Sequence, residues 1–393
     1  MAEEPRWVIR PTADPTAVAE PFPRGPLALH RTLPAYAVSP LTELPGVAQR
    51  LGVGRVYLKD ESNRFGLPAY KMLGTSWAGV MALEARLGTS LSPQSNLDAL
   101  RSHLSALGPL TLVAATDGNH GRAVARLARW LGLEAHILVP DDMTPARTAA
   151  IRSEGAKVTR VAGGYDEAVA RSAALEDERT LILSDTAWEG YEQIPRWVVE
   201  GYSTIFLEAE SQLEARSTPL PDLIGVQIGV GALAAATVHA AARWGARVAA
   251  TEPAGAACML GSVEAGQIVS LPHTPTSIMA GLVAGRPSLT AWPTVSRGVS
   301  LFIAVPDDRA QEAMRLLAAE SVVAGESGAA GLAGLLEATS DPALRTALGL
   351  SSDTRLLLLN TEADTDTDSY AATVGRTASE VRGTRADAPP PSH

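Results

Sequence analysis

Nine short runs rich in branched apolar residues recur along this chain with longer helical stretches between them, and that alternation decides most about its fold. The runs are RVYLK (55–59), TLVAA (111–115), AHILVP (135–140), KVTRV (157–161), TLILS (180–184), LIGVQI (223–228), RVAATE (247–252), SLFIAV (300–305) and RLLLLN (355–360). Between them lie stretches such as GRAVARLARWLG (121–132), YDEAVARSAALEDE (165–178) and ALAAATVHAAARWG (232–245), whose small apolar residues suit close packing on a sheet. Strands that alternate with helices pair in parallel, because a parallel neighbour needs a long crossover and the helix supplies it. The strand number and a length of 393 residues fit two α/β lobes. Each is expected to be a mostly parallel twisted sheet flanked by helices, with a ligand in the cleft between them.

Composition removes several classes of function. Hydrophobic residues make up 46% and charged residues 19%, the balance of a globular protein rather than a disordered one. No apolar run is long enough to span a bilayer, and the start, MAEEPRWVIRPTADPTAVAE, lacks the basic-then-apolar order of a secretion signal. A net charge of −10 repels phosphate backbones, which argues against nucleic acid. The single cysteine, Cys258, excludes an internal disulfide and a cysteine-based zinc cluster. The expected setting is a cytoplasmic protein of small-molecule metabolism. The segment 87–109 reads as a polar insertion around a short helix, and the proline-bearing first 30 residues as an extended arm.

The chemistry concentrates where strands end. Of 33 basic residues only three, Lys59, Lys71 and Lys157, are lysines. An ammonium can lose its proton and act as a nucleophile, which a guanidinium effectively cannot. Lys71 ends the loop KDESNRFGLPAYK (59–71) at the start of a helical pattern, where the helix field is expected to lower its pKa. A surface lysine in a loop is the alternative. In TDGNHGRAVA (116–125), Gly118 and Gly121 permit a tight turn while Asp117, Asn119 and His120 supply more polar groups than a helix cap requires. QIGVGALAAA (227–236) runs from a strand through Gly229-Val230-Gly231 into a helix, either a backbone cradle for a phosphate or a plain tight turn. It is neither a Walker A loop nor the complete dinucleotide fingerprint. The carboxylates of LNTEADTDTDSY (359–370), Glu362, Asp364, Asp366 and Asp368, lack the order of a calcium loop, so no divalent metal site is expected, while a monovalent cation stays open. In SDTAWEGYEQIPRWVVEGYSTI (184–205), Asp185 sits at a strand end, whereas Trp188, Tyr191 and Trp197 read as packing residues.

Taken together the loops resemble the pyridoxal-phosphate enzymes related to the tryptophan synthase β-subunit (fold type II), and among them the diaminopropionate ammonia-lyase family. The segments that carry the resemblance are KDESNRFGLPAYK, ATDGNHGRAVA, SDTAWEGYEQIP, QIGVGALA, SIMAGL (277–282), GESGAAGL (325–332) and NTEADTD (360–366), in the family's order. The resemblance implies pyridoxal 5'-phosphate as cofactor, carried by Lys71. It implies Asn119 at the ring hydroxyl and the backbone of Gly229, Val230, Gly231, Ala232 and Leu233 at the phosphate. Asn360 or Thr361 would face the pyridine nitrogen, and Asp117 and Asp185 would be bases on opposite faces of the substrate. The expected reaction is loss of ammonia from 2,3-diaminopropionate, giving pyruvate and ammonia. A dehydratase or related β-eliminase acting on serine-like or threonine-like amino acids is the alternative, and a binding protein without catalysis the second. The partner is a small amino acid, and the expected assembly a homodimer. The expected division is a large cofactor-binding domain (1–75 and 195–380), a small mobile domain (76–194) and a disordered tail (381–393). Pro68 stands where the family has asparagine and Ala363 where it has glycine, which puts the substrate in more doubt than the reaction type.

Overall fold

The computed structural model describes residues 4–18, 20–88, 97–105, 108–116, 118–272 and 276–386. Its strands in chain order are β1 (Arg6–Ile9), β2 (Leu41–Glu43), β3 (Arg55–Asp60), β4 (Thr111–Ala115), β5 (Glu134–Pro140), β6 (Lys157–Val161), β7 (Thr180–Ile182), β8 (Leu223–Gln227), β9 (Arg247–Pro253), β10 (Leu301–Val305) and β11 (Arg355–Asn360). All nine runs read as strands are strands. They form a seven-stranded sheet in the order β1-β10-β9-β8-β11-β3-β2 and a four-stranded sheet in the order β6-β5-β4-β7.

The smaller sheet is parallel throughout, and the larger is parallel except at its two edges, where β1 pairs with β10 and β2 with β3 antiparallel. Every residue of β8 and β10 is buried, as expected of central strands with helices on both faces. The two-lobed α/β expectation is therefore met. The N-terminal arm does more than lie on the surface, since Arg6–Ile9 adds an edge strand.

Register brings the loops together. Asn360 of β11 pairs with Asp60 of β3, and β8 lies on the other side of β11, so the segments that follow these strands open at one end of the sheet. Lys59 does not take part in that opening. Its ammonium is buried and donates to Glu208 Oε2 (2.9 Å), Ser39 O (2.8 Å) and Gln212 Oε1 (2.8 Å). Arg64 bonds Glu208 and Glu61, which completes a buried set of two cations and two carboxylates under the loop that leads to Lys71. Lys157, on edge strand β6, is exposed.

The helix Leu97–Ser105 occupies the polar insertion, whose residues 89–96 lie outside the described residues. The reading of 381–393 as a disordered tail needs correction at its start. A helix runs from Ala378 to Ala386 because Val381 is fully buried against the large sheet's outer core, while 387–393 lies outside the described residues. No helix among the described residues is long and apolar enough to cross a membrane.

Candidate active site

Lys71 immediately precedes the helix Met72–Leu87, and its Nζ donates to Asp185 Oδ2 at 2.7 Å. Asp185 stands three residues beyond β7 in the other sheet, so this ion pair joins the two lobes. Tyr165 Oη donates to the second carboxylate oxygen at 3.3 Å. The expectation that the helix field lowers the Lys71 pKa is overturned. Burial does disfavour the ammonium, but Asp185 and the neighbouring Tyr70 and Tyr202 outweigh it and hold the amine well above its usual range. Burial raises Asp185, yet His120, Lys71 and the hydrogen bonds from Lys71 and Tyr165 hold its carboxyl well below the usual carboxylate range. At His120 burial dominates and lowers the imidazole, and Asp185 offsets this only in part. A neutral ring with Nε2 2.7 Å from Leu183 O must donate there, leaving Nδ1 to accept from Thr75 Oγ1 at 3.3 Å.

Tyr70, Lys71, His120, Tyr165 and Asp185 line a cavity between the sheets that opens to solvent. The glycine loop lines the same cavity as Lys71. Gly231 has φ +109°, a conformation that side-chain-bearing residues rarely adopt, and it starts the helix Ala232–Trp244. The first intrahelical bond is Ala235 N–H to Gly231 O, so the amides of Ala232, Leu233 and Ala234 are the orphan donors of a helix start, and these three residues line the cavity. At Gly229 a Cβ would sit 3.1 Å from Leu282 O, so the absence of a side chain lets this loop pack closely on the Leu282 backbone, which also lines the cavity. An anion such as a phosphate ester fits this cradle, where backbone dipoles supply the positive end.

The structure brings most of the expected residues to one place. Lys71, Asn119, Asp185, Gly229, Val230, Gly231, Ala232, Leu233 and Thr361 all line the cavity. Asp117 lies outside the described residues, and its chain neighbours Thr116 and Gly118 line the cavity. Asn360 is not brought there. It is fully buried, and its Nδ2 donates to Asp60 Oδ1 and Val323 O, each at 2.9 Å. Thr361, one residue on, reaches the cavity with Oγ1 accepting from Gln227 Nε2 at 2.6 Å.

Among the cavity residues that sequence reasoning missed are Tyr165 and Glu362. Tyr165 read only as the start of a helix, although its place in the cavity wall adds a phenol beside Asp185. Glu362 read as a possible metal oxygen, but its carboxylate accepts from Asn119 Nδ2 at 2.7 Å and from Ser327 N at 3.1 Å. Two other acids of that loop are used locally: Asp364 pairs with Arg382 at 3.3 Å, and Asp366 caps the helix Thr367–Val374. Among the described residues, no group of three or more metal-ligating side chains comes together.

Comparison with known proteins adds kinship to geometry. The family model described as pyridoxal-phosphate dependent enzyme matches residues 32–361. The chain is 36% identical to diaminopropionate ammonia-lyase of Salmonella typhimurium over 374 residues, which cover 90% of this chain and 92% of that protein. The crystal structure of diaminopropionate ammonia lyase from Escherichia coli in complex with D-serine superposes with a TM-score of 0.85 at 30% identity, covering 94% of this chain and 97% of that one. L-threonine dehydratase of Mycobacterium bovis is 31% identical over 241 residues, 59% of this chain and 53% of that protein.

Proposed function

We propose a function from the premise that this chain belongs to the pyridoxal-phosphate dependent enzyme family: it is an ammonia-lyase that converts 2,3-diaminopropionate and water to pyruvate and two molecules of ammonia. The observation that carries the proposal is the Lys71–Asp185 pair at 2.7 Å, an amine and a base at one point of a cavity that the glycine loop also lines. The likeness to diaminopropionate ammonia-lyase over nine-tenths of both chains supports the choice of substrate.

Pyridoxal phosphate, when bound, supplies an electron sink that acidifies the Cα proton of an amino acid joined to it. The residues divide the remaining work. Lys71 carries the cofactor through Nζ. The amides of Gly229–Leu233 hold its phosphate, and Asn119 donates to its ring oxygen. Thr361 serves the pyridine nitrogen, because its hydroxyl reaches the cavity and already accepts from Gln227, which leaves the O–H proton to donate. Asn360 is assigned to the fold instead, since its amide protons are spent on Asp60 and Val323.

Asp185 removes the Cα proton from one face and Asp117 from the other, so a single site accepts both enantiomers. Burial works to raise the Asp185 carboxyl toward the range a general base needs wherever the Lys71 amine beside it is uncharged. The same carboxylates pair with the second ammonium of diaminopropionate, a charge that serine lacks. The β-amino group leaves as ammonia, and hydrolysis of the three-carbon remainder releases the second.

A dehydratase of hydroxy amino acids is the second reading, supported by the partial likeness to L-threonine dehydratase. The division into 1–75 with 195–380 and a mobile 76–194 is likewise a proposal, supported by the four-stranded sheet lying wholly between Thr111 and Ile182. A homodimer working in the cytoplasm rests on kinship alone. Product analysis tests the main reading. Diaminopropionate should yield one pyruvate and two ammonia per turnover, whereas a serine dehydratase yields one of each. No pyruvate from either diaminopropionate enantiomer would sink the proposal. Borohydride reduction of the holoenzyme and peptide mapping should label Lys71, and a label on Lys59 or Lys157 would overturn the site.

A further inference from the structure

We infer that Glu362 is a positioning residue: its carboxylate fixes the amide of Asn119 so that nitrogen, not oxygen, is offered to the cofactor's ring oxygen. The inference rests on the role of Asn119 proposed above and adds what enforces it. An asparagine amide presents a donor on one side and an acceptor on the other, and the two differ little in shape. A ring oxygen bearing negative charge needs the donor. Glu362 Oε2 lies 2.7 Å from Asn119 Nδ2, and a carboxylate can only accept, so the flipped amide would set oxygen against oxygen. With one N–H held by Glu362, the second N–H of the same nitrogen remains for the cavity.

The carboxylate is itself held. It is 3% exposed, and Oε1 accepts from Ser327 N at 3.1 Å. The Glu362 carbonyl accepts from Gly325 N at 3.0 Å, and the segment pairs with the Lys71 loop through the Ala69–Glu362 bridge and Ala363 N–H to Pro68 O (3.0 Å). One residue thus couples the loop before Lys71, the start of the Asn119 helix and the Gly325–Ser327 turn. Both carboxylate oxygens accept from N–H donors. Glutamine, although of the same shape, must therefore point its own NH₂ at one of them.

The test uses the holoenzymes of Glu362→Gln, Glu362→Ala, Asn119→Ala and the double variant Glu362→Gln/Asn119→Ala. The readouts are the absorption spectrum of bound pyridoxal phosphate and its dissociation constant. Loss of a donor at the ring oxygen should move absorption from the visible band toward the near ultraviolet and weaken binding about tenfold in each single variant. The double variant should match Asn119→Ala, because both substitutions remove the same hydrogen bond. If Glu362 merely fills space, Glu362→Gln will keep the parent spectrum, which overturns the inference. Additive effects in the double variant also overturn it. A shift in Asn119→Ala with none in either Glu362 variant defeats the inference and leaves the Asn119 assignment standing, whereas no shift in Asn119→Ala defeats both. Should Glu362→Ala not fold, the isosteric Glu362→Gln decides alone.

Discussion

Substituting Glu208 by glutamine should cost this fold about 3–5 kcal/mol, because it leaves a buried cation without its counter-charge. Lys59 and Arg64 are balanced by Glu61 and Glu208, and all four side chains are at most 2% exposed. Glu208 alone accepts from Lys59 (2.9 Å), from Arg64 through both of its oxygens (2.9 and 2.8 Å) and from Tyr36 (2.8 Å). The electrostatics carry the same sign. Burial raises the Glu208 carboxyl, but the hydrogen bonds and charge of Arg64, followed by Lys59, outweigh it and hold it below its usual range. The contribution is that of a lowered carboxylate: fully present above the unfolded value of about 4.5 and lost as pH falls through the lower folded value. Urea unfolding of parent and Glu208→Gln, followed by circular dichroism across pH, measures both. The gap between them should stay constant from about pH 8 to about pH 5 and narrow below that. A gap under about 1 kcal/mol at neutral pH, the size of a solvent-exposed ion pair, would refute the reasoning, as would a gap that does not change on acidification.

Asp185→Asn should lower kcat/KM by about 10²- to 10⁴-fold and do so unequally for D- and L-diaminopropionate, with Asp117→Asn showing the opposite preference. Initial rates on the separate enantiomers measure this, and equal losses on both would remove the two-face arrangement. Thr361→Val should weaken pyridoxal phosphate binding about tenfold by fluorescence titration, since it deletes one buried hydrogen bond at nearly constant shape. Asn360→Ala should instead lower the unfolding midpoint, and a larger loss of cofactor there than in Thr361→Val would reverse the assignment.

What was legible in the sequence, and what was not, follows from range. β8 and β10 are visible as apolar runs because helices cover both faces, and Gln227 at the end of β8 is the one polar residue in either. RWVI and LTE escape notice because they are short antiparallel edges, partly exposed, whose strand character comes from a neighbour far along the chain. The glycine loop is legible because its turn chemistry is local. Choosing between Asn360 and Thr361 is not, since successive side chains at a strand end point opposite ways and the sequence does not say which way is inward. Telling Lys59 from Lys71 needs Glu208, 149 residues from Lys59, and finding the hold on Asn119 needs Glu362, 243 residues away. Such pairings exist only once distant segments of the chain have met.

The antiparallel strand Arg6–Ile9 has a practical bearing on how this protein is handled. It occupies the outer edge of Leu301–Val305, a wholly apolar strand whose backbone groups on that side would otherwise be unpaired. Trimming the chain to begin at Gly25, a natural choice for anyone who takes the proline-bearing leader as dispensable, would bare that edge. A bare apolar edge recruits strands from other chains, so the first casualty would be solubility, well before any loss at the distant cavity.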